Sequence, residues 1–597
     1  MLRITELKLP LSALPVDVRR AADAPSETDE DRRPLAQPVA ALTRMAAQAL
    51  GVAVSDIQTL DVFKRSFDAR KADLLAVFIV DVALAPELEA RLAEQFAKHP
   101  HIGPTPDMAY TLVRQTQAPL PQRPVVVGFG PCGMFAALLL AQMGLRPLVL
   151  ERGPAVRQRT KDTWDLWRKH TLHPESNVQF GEGGAGTFSD GKLWSQIKDP
   201  RHLGRKVMQE FVAAGAPPEI LVEAHPHIGT FKLVKVVENL RARIIELGGE
   251  VRFGQRVTDI RTATEGEVRR ITGLEVLDLA SGAVQELQAD HVVMALGHSA
   301  RDTFAMLWSR GVAMQAKPFS VGFRIEHPQG VIDRARWGRH AGHPLLGAAD
   351  YKLVHHANNG RSVYSFCMCP GGTVVAATSE PERVVTNGMS QYSRNERNAN
   401  AGIVVGIAPS DYPQDEASFV AAFGAVDGAR YAAQAKALGA GAEGAHPLSG
   451  IAFQRKLESA AYLHGGASYE APGQLVGDFL AGRASTELGT VQPSYKPGVK
   501  LGDLAASLPG YAIEAIREAL PVFGRKIKGF DMADAVLTGV ETRTSSPLKL
   551  PRGEDLQSTN LRGLYPAGEG ASYAGGILSA GVDGIKVAEA LALDLLP

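Results

Sequence analysis

The chain has 597 residues, of which 45% are hydrophobic and 21% charged, and its 64 lysines and arginines balance 64 aspartates and glutamates. This composition excludes an intrinsically disordered chain, and zero net charge gives no global electrostatic reason to bind nucleic acid or an anionic membrane. The three cysteines are too few for a disulfide framework and lack zinc-ligand spacing, so no metal site is predicted. Charges interrupt every apolar stretch near the N-terminus, and no apolar run reaches the ~20 residues of a membrane span. We therefore expect a cytoplasmic protein with no membrane partner.

Residues 1–115 predict a separate β-α-β-β-α unit. Apolar alternation indicates strands at residues 4–11, 60–67 and 74–84, and helical periodicity marks residues 38–51 and 86–99. This order is typical of a small ferredoxin-like α/β sandwich. The proline-rich residues 118–124 that follow are predicted to be a linker.

The segment after the linker predicts a dinucleotide-binding β-α-β unit. A buried strand at Val125–Val127 leads into a glycine turn, a helix at residues 134–143, and a second buried strand that ends at Glu151. The turn carries Gly128, Gly130 and Gly133, which permit a tight turn, close approach of the backbone to a pyrophosphate, and close helix–strand packing. The carboxylate that follows Gly133 by eighteen positions is placed to accept hydrogen bonds from ribose hydroxyls and to repel a 2′-phosphate, which disfavours NADP in this pocket.

A second G-x-G-x-x-G occurs at Gly439, Gly441 and Gly444. It follows a helical stretch instead of a strand, and Pro447 prevents a helix directly after it. This copy is therefore predicted to be a flexible loop that binds no nucleotide.

The fingerprint alone leaves FAD and NAD open, and the C-terminal segment favours FAD. There a short strand ends in Gly568, Glu569 and Gly570, and a helix begins near Gly575 and Gly576. FAD is long enough to need a second anchor, which Glu569 provides by holding ribityl hydroxyls. The positive end of the helix is suited to stabilise the anionic reduced ring.

Several strings spread along nearly the whole chain resemble one bacterial family, that of NAD(P)/FAD-dependent oxidoreductases with a distinctive FAD-dependent C-terminal domain. They include RSFDARK, VVVGFGPCGMFAAL, FGEGGAGTFSDGKL, VGFRIEH, SFCMCPGG, VETRTSSP and YPAGEGASYAGGI. More widely, the chain resembles the glutathione-reductase-type, two-dinucleotide-binding flavoproteins, from which it departs at Glu569, where Asp is more usual.

The predicted architecture is α/β. A Rossmann-like FAD-binding domain spans residues 116–316 and 531–597, a β-rich α+β substrate or cap domain is inserted at 317–530, and a ferredoxin-like sandwich occupies 1–115. The resemblance implies FAD contacts at Gly128, Gly130, Pro131, Cys132, Gly133, Glu151, Arg152, Gly183, Gly184, Ala185, Gly186, Thr187, Ser189, Asp190, Lys192, Val257, Gly297, Gly568, Glu569, Gly575, Gly576 and Ile577.

Four residues are candidates for the chemistry: Cys367, Cys369, Arg324 and Arg543. If this segment is a regular strand, Cys367 and Cys369 are two residues apart and face the same side, so both thiols could face a flavin. A disulfide between them would be strained, so we expect substrate-lining or core thiols. The Cys-x-x-x-x-Cys motif is absent, which disfavours a thiol–disulfide reductase. Each arginine is open to a ligand-binding or a structural role, and His298 is a weaker candidate for a general acid.

The leading functional prediction is hydride transfer through flavin N5 between NAD(P)H or a reduced substrate and a small-molecule acceptor. The second G-x-G-x-x-G lacks the flanking strand and helix, so the chain has no second complete NAD fingerprint. NAD(P)H would therefore dock transiently. The alternative is a nucleic-acid-associated or regulatory flavin module that uses Lys64, Arg65, Arg70 and Lys71 on the N-terminal hairpin. Nucleic acid is disfavoured because the unit offers too few aromatic residues for a stacking surface.

Overall fold

The computed structural model describes residues 1–15, 36–70, 73–118, 120–438 and 445–596. Lys71 and the predicted loop at Gly439, Gly441 and Gly444 lie outside these ranges. The described N-terminal elements are β1 (Leu2–Pro10), α1 (Val39–Leu50), β2 (Thr59–Asp68), β3 (Leu75–Ala83), α2 (Pro86–Gln95) and β4 (Ile102–Pro104).

The N-terminal strands form one antiparallel sheet in the order β2-β3-β1-β4. Alternate residues of the strands, such as Phe78 and Val80, are fully buried in a core that also contains Leu42 of α1. The outer strand β2 is covered, because Arg65 donates its backbone N–H to the Val222 carbonyl at 2.8 Å. Its side chain, 2% exposed, pairs with Glu223 at 2.5 Å, so this arginine offers no surface charge to a nucleic acid.

Two sheets make up the next region. Its elements are β5 (Val125–Val127), α3 (Pro131–Gln142), β6 (Leu148–Glu151), α4 (Val156–Lys169), α5 (Leu203–Ala213), α6 (Thr230–Glu246), β7 (Glu250–Phe253), β8 (Gln255–Glu265), β9 (Val268–Asp278), β10 (Val284–Gln288), β11 (Val292–Met294) and α7 (Arg301–Ser309). Strands β8, β9 and β10 form an antiparallel meander. A parallel sheet contains β11, β5, β6 and β7, and it is completed by β22 (Leu564–Pro566), which comes from the far end of the chain.

The segment between these parts is built around an eight-stranded sheet. Its elements are β12 (Gln315–Ala316), β13 (Phe319–Pro328), α8 (Gln329–Trp337), β14 (Val354–His356), β15 (Ser362–Ala376), β16 (Thr386–Ser390), β17 (Asn398–Ile407), α9 (Glu416–Phe423), α10 (Ala425–Leu438), α11 (Ser449–His464), β18 (Ala471–Leu475), α12 (Val476–Ala481), β19 (Val499–Leu501), α13 (Gly510–Lys526), β20 (Val536–Glu541) and β21 (Leu548–Lys549). Strands β12 and β21 pair separately.

Strand β20 lies inside the eight-stranded sheet, between β13 and β18. The predicted boundary at residue 530 assigned this strand to the FAD-binding part. Every residue of β20 is buried, and the strand pairs with β13, the first long strand of the segment predicted to be the insertion. The chain closes with α14 (Ile577–Leu595), which packs against α3. Across the described residues, no helix combines the length and the apolar character needed to cross a bilayer.

Candidate functional site

A cavity of about 380 Å³ lies at the carboxyl ends of the parallel strands, where open α/β sheets bind ligands. Eighteen of the predicted cofactor residues line it: Gly128, Gly130, Pro131, Cys132, Glu151, Arg152, Gly184, Ala185, Gly186, Ser189, Asp190, Lys192, Val257, Gly297, Glu569, Gly575, Gly576 and Ile577. Outside the lining are Gly133, Gly183, Thr187 and Gly568. Other lining residues come from the inserted segment, among them Cys367, Asn387 and Glu541.

The fingerprint turn needs its glycines for steric reasons. Gly128 has φ +97°, and a Cβ there would lie 2.6 Å from the Ala295 carbonyl oxygen. A Cβ on Gly133 would lie 2.0 Å from the Gly128 oxygen, which explains why a glycine outside the cavity wall is still required. Helix α3 begins at Pro131, three residues earlier than predicted, because proline is favoured in a first helical turn.

The second glycine loop meets the first at very close range. A Cβ on Gly184 would lie 2.9 Å from the Gly130 Cα, and one on Gly186 would lie 2.9 Å from the Ile577 side chain. Bare backbone therefore faces the cavity at the N-terminus of α3, where free N–H groups and the helix dipole favour a phosphate.

The Glu151 carboxylate is held by the backbone. It accepts hydrogen bonds from the N–H groups of Phe129 at 2.8 Å, Gly153 at 2.9 Å and Gly181 at 3.0 Å. Three of the roughly four lone-pair positions of a carboxylate are thus occupied, and one remains for a ribose hydroxyl. Glu151 also ties the fingerprint turn to the second glycine loop, a role that its position at a strand end did not predict.

Arg152 lies at the end of the cavity that also contains Val257. Its guanidinium carbon is 4.0 Å from the centroid of the Phe180 ring and it pairs with Glu175 at 2.7 Å and Asp302 at 2.9 Å. An apolar side chain, that of Val257, beside a fixed planar cation is a suitable surface for an adenine ring.

Asp190 and Lys192 have partners in the inserted segment. Arg394 pairs with the Asp190 carboxylate at 2.5 Å and, against the effect of burial, holds its pKa well below the usual range. The Lys192 ammonium donates to the Met368 carbonyl. Both residues therefore fix the glycine loop to the inserted segment.

The C-terminal motif presents an unpaired carboxylate. No described residue donates a hydrogen bond to the Glu569 side chain, and burial, partly offset by Lys317, raises its pKa to about 7. A Cβ on Gly575 or Gly576 would meet no atom within 4 Å, so open space lies in front of the N-terminus of α14. A free acceptor, a bare glycine rim and a helix N-terminus fit the ribityl chain and ring of FAD.

The two candidate thiols occupy different positions. Pairing of β15 with β17 shifts register between Phe366 and Cys369, so the regular alternation behind the prediction is interrupted. Cys367 lines the cavity, whereas Cys369 is fully buried. The prediction that both thiols face a flavin from a regular strand is therefore wrong.

Arg324 is also fully buried, and each of its guanidinium nitrogens already donates to a protein group instead of a ligand. It donates to Glu541 at 2.7 Å, to the Cys367 carbonyl at 2.8 Å, and to Asn400 and Asn387 at 3.1 Å. Burial raises the pKa of Glu541 to about 7, although this arginine opposes the effect. Arg324 thus positions residues of the cavity wall.

Arg543 belongs to a buried ion network that sequence reasoning missed. Glu458 of α11 accepts from Arg543 at 2.9 and 3.0 Å and from Arg301 of α7 at 2.6 and 2.9 Å. Of the two roles left open for Arg543, the structure shows the structural one, an ion pair with a protein carboxylate. Burial and the two arginines lower the pKa of His298 to about 3, so its neutral ring is a poor general acid near pH 7. His327 is buried, with Nε2 bonded to the Phe530 carbonyl.

Comparison with known proteins identifies relatives of this chain. Residues 318–544 match a family model described as FAD-dependent protein, C-terminal domain-like, and residues 1–83 match a domain of unknown function. An uncharacterised protein from Clostridium beijerinckii is 44% identical over 558 residues, which cover 92% of this chain and 95% of that protein. The chain belongs to this family of FAD-dependent oxidoreductases. FAD is its cofactor, in accordance with the predicted resemblance.

Two solved structures with remote similarity illustrate the comparison. A geranylgeranyl bacteriochlorophyll reductase-like protein from Thermoplasma acidophilum is 12% identical with a TM-score of 0.31, covering 79% of this chain and 78% of that one. A glycerol-3-phosphate dehydrogenase from Bacillus halodurans, complexed with FAD, is 11% identical with a TM-score of 0.23, covering 48% and 47%. At these TM-scores neither likeness decides fold or function.

Proposed function

We propose that the protein catalyses hydride transfer between NAD(P)H or a reduced substrate and a small-molecule acceptor, with FAD bound along the cavity. One observation carries the proposal: the fingerprint turn, the C-terminal motif and the inserted segment all line the same cavity. When bound, FAD supplies hydride acceptance and donation at N5. The chain supplies binding, orientation and electrostatics.

Several of the predicted cofactor residues that line the cavity have separable roles in this proposal. The N-terminus of α3 and the bare backbone at Gly130 and Gly184 bind the pyrophosphate, and Glu151 binds a ribose hydroxyl. Glu569 binds the ribityl chain. The N-terminus of α14, which starts at Ile577, stabilises negative charge on the reduced ring.

The inserted segment provides the substrate side of the site. Asn387 and Glu541 of this segment line the cavity together with Glu569, and a small molecule would meet the flavin ring there. One oxygen of Glu541 is bound by Arg324, and with a pKa of about 7 the carboxyl group is suited to give or take a proton at its other oxygen near neutral pH.

The finer architecture is part of the proposal. The N-terminal strand order and its two helices support a ferredoxin-like domain at residues 1–115. The eight-stranded sheet supports a substrate domain inserted from residue 317 to the end of β20 at Glu541, with the FAD-binding domain on either side of it.

The proposal is tested by visible absorption of the purified protein before and after anaerobic addition of NADH and then NADPH. We expect a two-banded flavin spectrum that bleaches with one nucleotide, while free FAD at the same concentration does not bleach. A colourless protein that cannot be reconstituted with FAD would overturn the cofactor-dependent proposal. A flavin reduced by dithionite but by neither nucleotide would exclude NAD(P)H as the donor.

A further inference from the structure

Strand β15 is irregular where it borders the cavity. Cys367 adopts the left-handed conformation, with φ +42°, and the register with β17 shifts on both sides of Cys369. Two cations from distant parts of the chain hold this bulge. Arg324 donates to the Cys367 carbonyl at 2.8 Å, and Lys192 donates to the next carbonyl, that of Met368. Bulges and left-handed non-glycine residues are concentrated at functional sites, so this one calls for a functional explanation.

The bulge brings the two thiols together. The Cys369 thiol donates a hydrogen bond to the Cys367 carbonyl oxygen at 3.4 Å, which places this thiol directly beside the other cysteine. Gly388, on the adjacent strand β16, leaves them the space, because a Cβ there would lie 2.9 Å from the Cys369 sulfur. The Cα separation of a fully extended strand does not apply to a bulged segment, so the strain expected from that spacing no longer follows.

The environment gives the thiols unequal character. The adjacent Cys369 thiol, together with Arg324 and Lys192, outweighs burial and lowers the pKa of Cys367. The pKa of Cys369 is raised above its usual value by its neighbour Cys367 and by burial. A thiolate next to a protonated thiol is the arrangement from which a disulfide forms.

Cys367 lies at the flavin end of the cavity. It lines the wall together with Glu541 and Glu569, and its charge is close enough to both carboxyl groups to raise their pKa values. Cys369 is fully buried behind it, out of contact with solvent. The Cys367 sulfur is therefore accessible from the cavity, whereas the Cys369 sulfur is not.

We propose that Cys367 and Cys369 are a redox-active dithiol that exchanges an electron pair with the bound FAD. In the oxidising direction the Cys367 thiolate and the Cys369 sulfur form an S–S bond, and the Cys369 S–H bond breaks. Two electrons and that one proton pass to oxidised FAD, which becomes the anionic reduced cofactor FADH⁻. The reverse reaction breaks the S–S bond and oxidises FADH⁻, so no further co-reactant is needed.

The test measures electron uptake and thiol content of the full-length FAD-loaded protein. The protein is first oxidised with diamide and then titrated anaerobically with dithionite, which reduces flavin and disulfide whether or not NAD(P)H is the natural donor. We expect the wild type to take up twice as many electrons per flavin as Cys369→Ser or Cys367→Ser. Equal uptake by the wild type and both variants would overturn the proposal, and failure of NAD(P)H to reduce the flavin would not affect this result.

Thiol counting provides a second measurement that needs no variant. After denaturation, alkylation and mass measurement, we expect one alkylated cysteine, Cys132, in the diamide-oxidised chain and all three in the dithionite-reduced chain. Three alkylated cysteines in both states would refute the dithiol even if the serine variants fail to fold. A long-wavelength absorption shoulder in the wild-type protein with oxidised flavin and reduced thiols, absent from Cys367→Ser, would identify the Cys367 thiolate as the sulfur next to the ring.

Discussion

Substituting Glu458→Gln tests the network that joins α7, α11 and the end of β20. Glu458 is fully buried, Arg301 is 1% exposed and Arg543 is 6% exposed. An amide has the same shape but leaves the buried Arg543 without its counter-charge and Arg301 with only Glu380, at 3.2 Å. Removing one partner of a buried pair costs roughly 3–5 kcal/mol, so we expect a loss of that size in the free energy of unfolding. The flavin end of the cavity includes Arg543, so FAD affinity should fall as well.

The assay is chemical unfolding of the FAD-loaded protein, followed by far-UV circular dichroism and by release of flavin fluorescence. Glu238→Gln is the matched control, because its partner Arg157 is 68% exposed, and an exposed pair contributes less than about 1 kcal/mol. If Glu458→Gln costs no more than this control, the network does not fasten the inserted segment to the FAD-binding part.

The same carboxylate predicts a pH dependence. Burial favours the neutral form of Glu458, but Arg301 and Arg543 outweigh it and lower the pKa from 4.5 to about 2. A carboxylate with a lowered pKa stabilises the folded state above its unfolded pKa. This contribution should be lost as the pH falls from about 4.5 to about 2, and it should be missing from Glu458→Gln at every pH.

Three further outcomes follow from the cavity. Gly128→Ala should purify with little flavin, because its Cβ would lie 2.6 Å from the Ala295 carbonyl, whereas Gly266→Ala, at φ +62° in an open turn, should keep a full complement by absorbance ratio. Glu151→Ala should also lose FAD affinity, since three backbone N–H groups lose their acceptor; undiminished flavin content would contradict this role. Glu541→Gln should remove a transition near pH 7 from the rate of flavin reduction, and a transition that persists there would assign it to another group.

The parts that local sequence predicted are those determined by short-range sterics. Val125–Val127, the glycine turn and Glu151 occur within one β-α-β unit, so their spacing alone predicted the cofactor-binding end of the cavity. The partner of Arg543 is 85 residues away in sequence on α11, and no local pattern indicates such a pairing. The bulge at Cys367 also escaped prediction, because Arg324 and Lys192, which bind its carbonyls, are brought against β15 only by the fold.

The strands β13 and β20 give the inserted segment an unusual attachment. In the proposed architecture the chain leaves the FAD-binding part just before Phe319 and returns to it after Glu541, and these two strands are hydrogen-bonded neighbours, with Gly322 opposite Glu541. The two covalent connections of more than two hundred residues to the rest of the chain therefore lie at one adjacent pair of strands. A different substrate domain with a similarly spaced pair of strands would fit the same two junctions. Replacement of this one domain would therefore change the substrate specificity of such an enzyme and leave the cofactor-binding sheet unchanged.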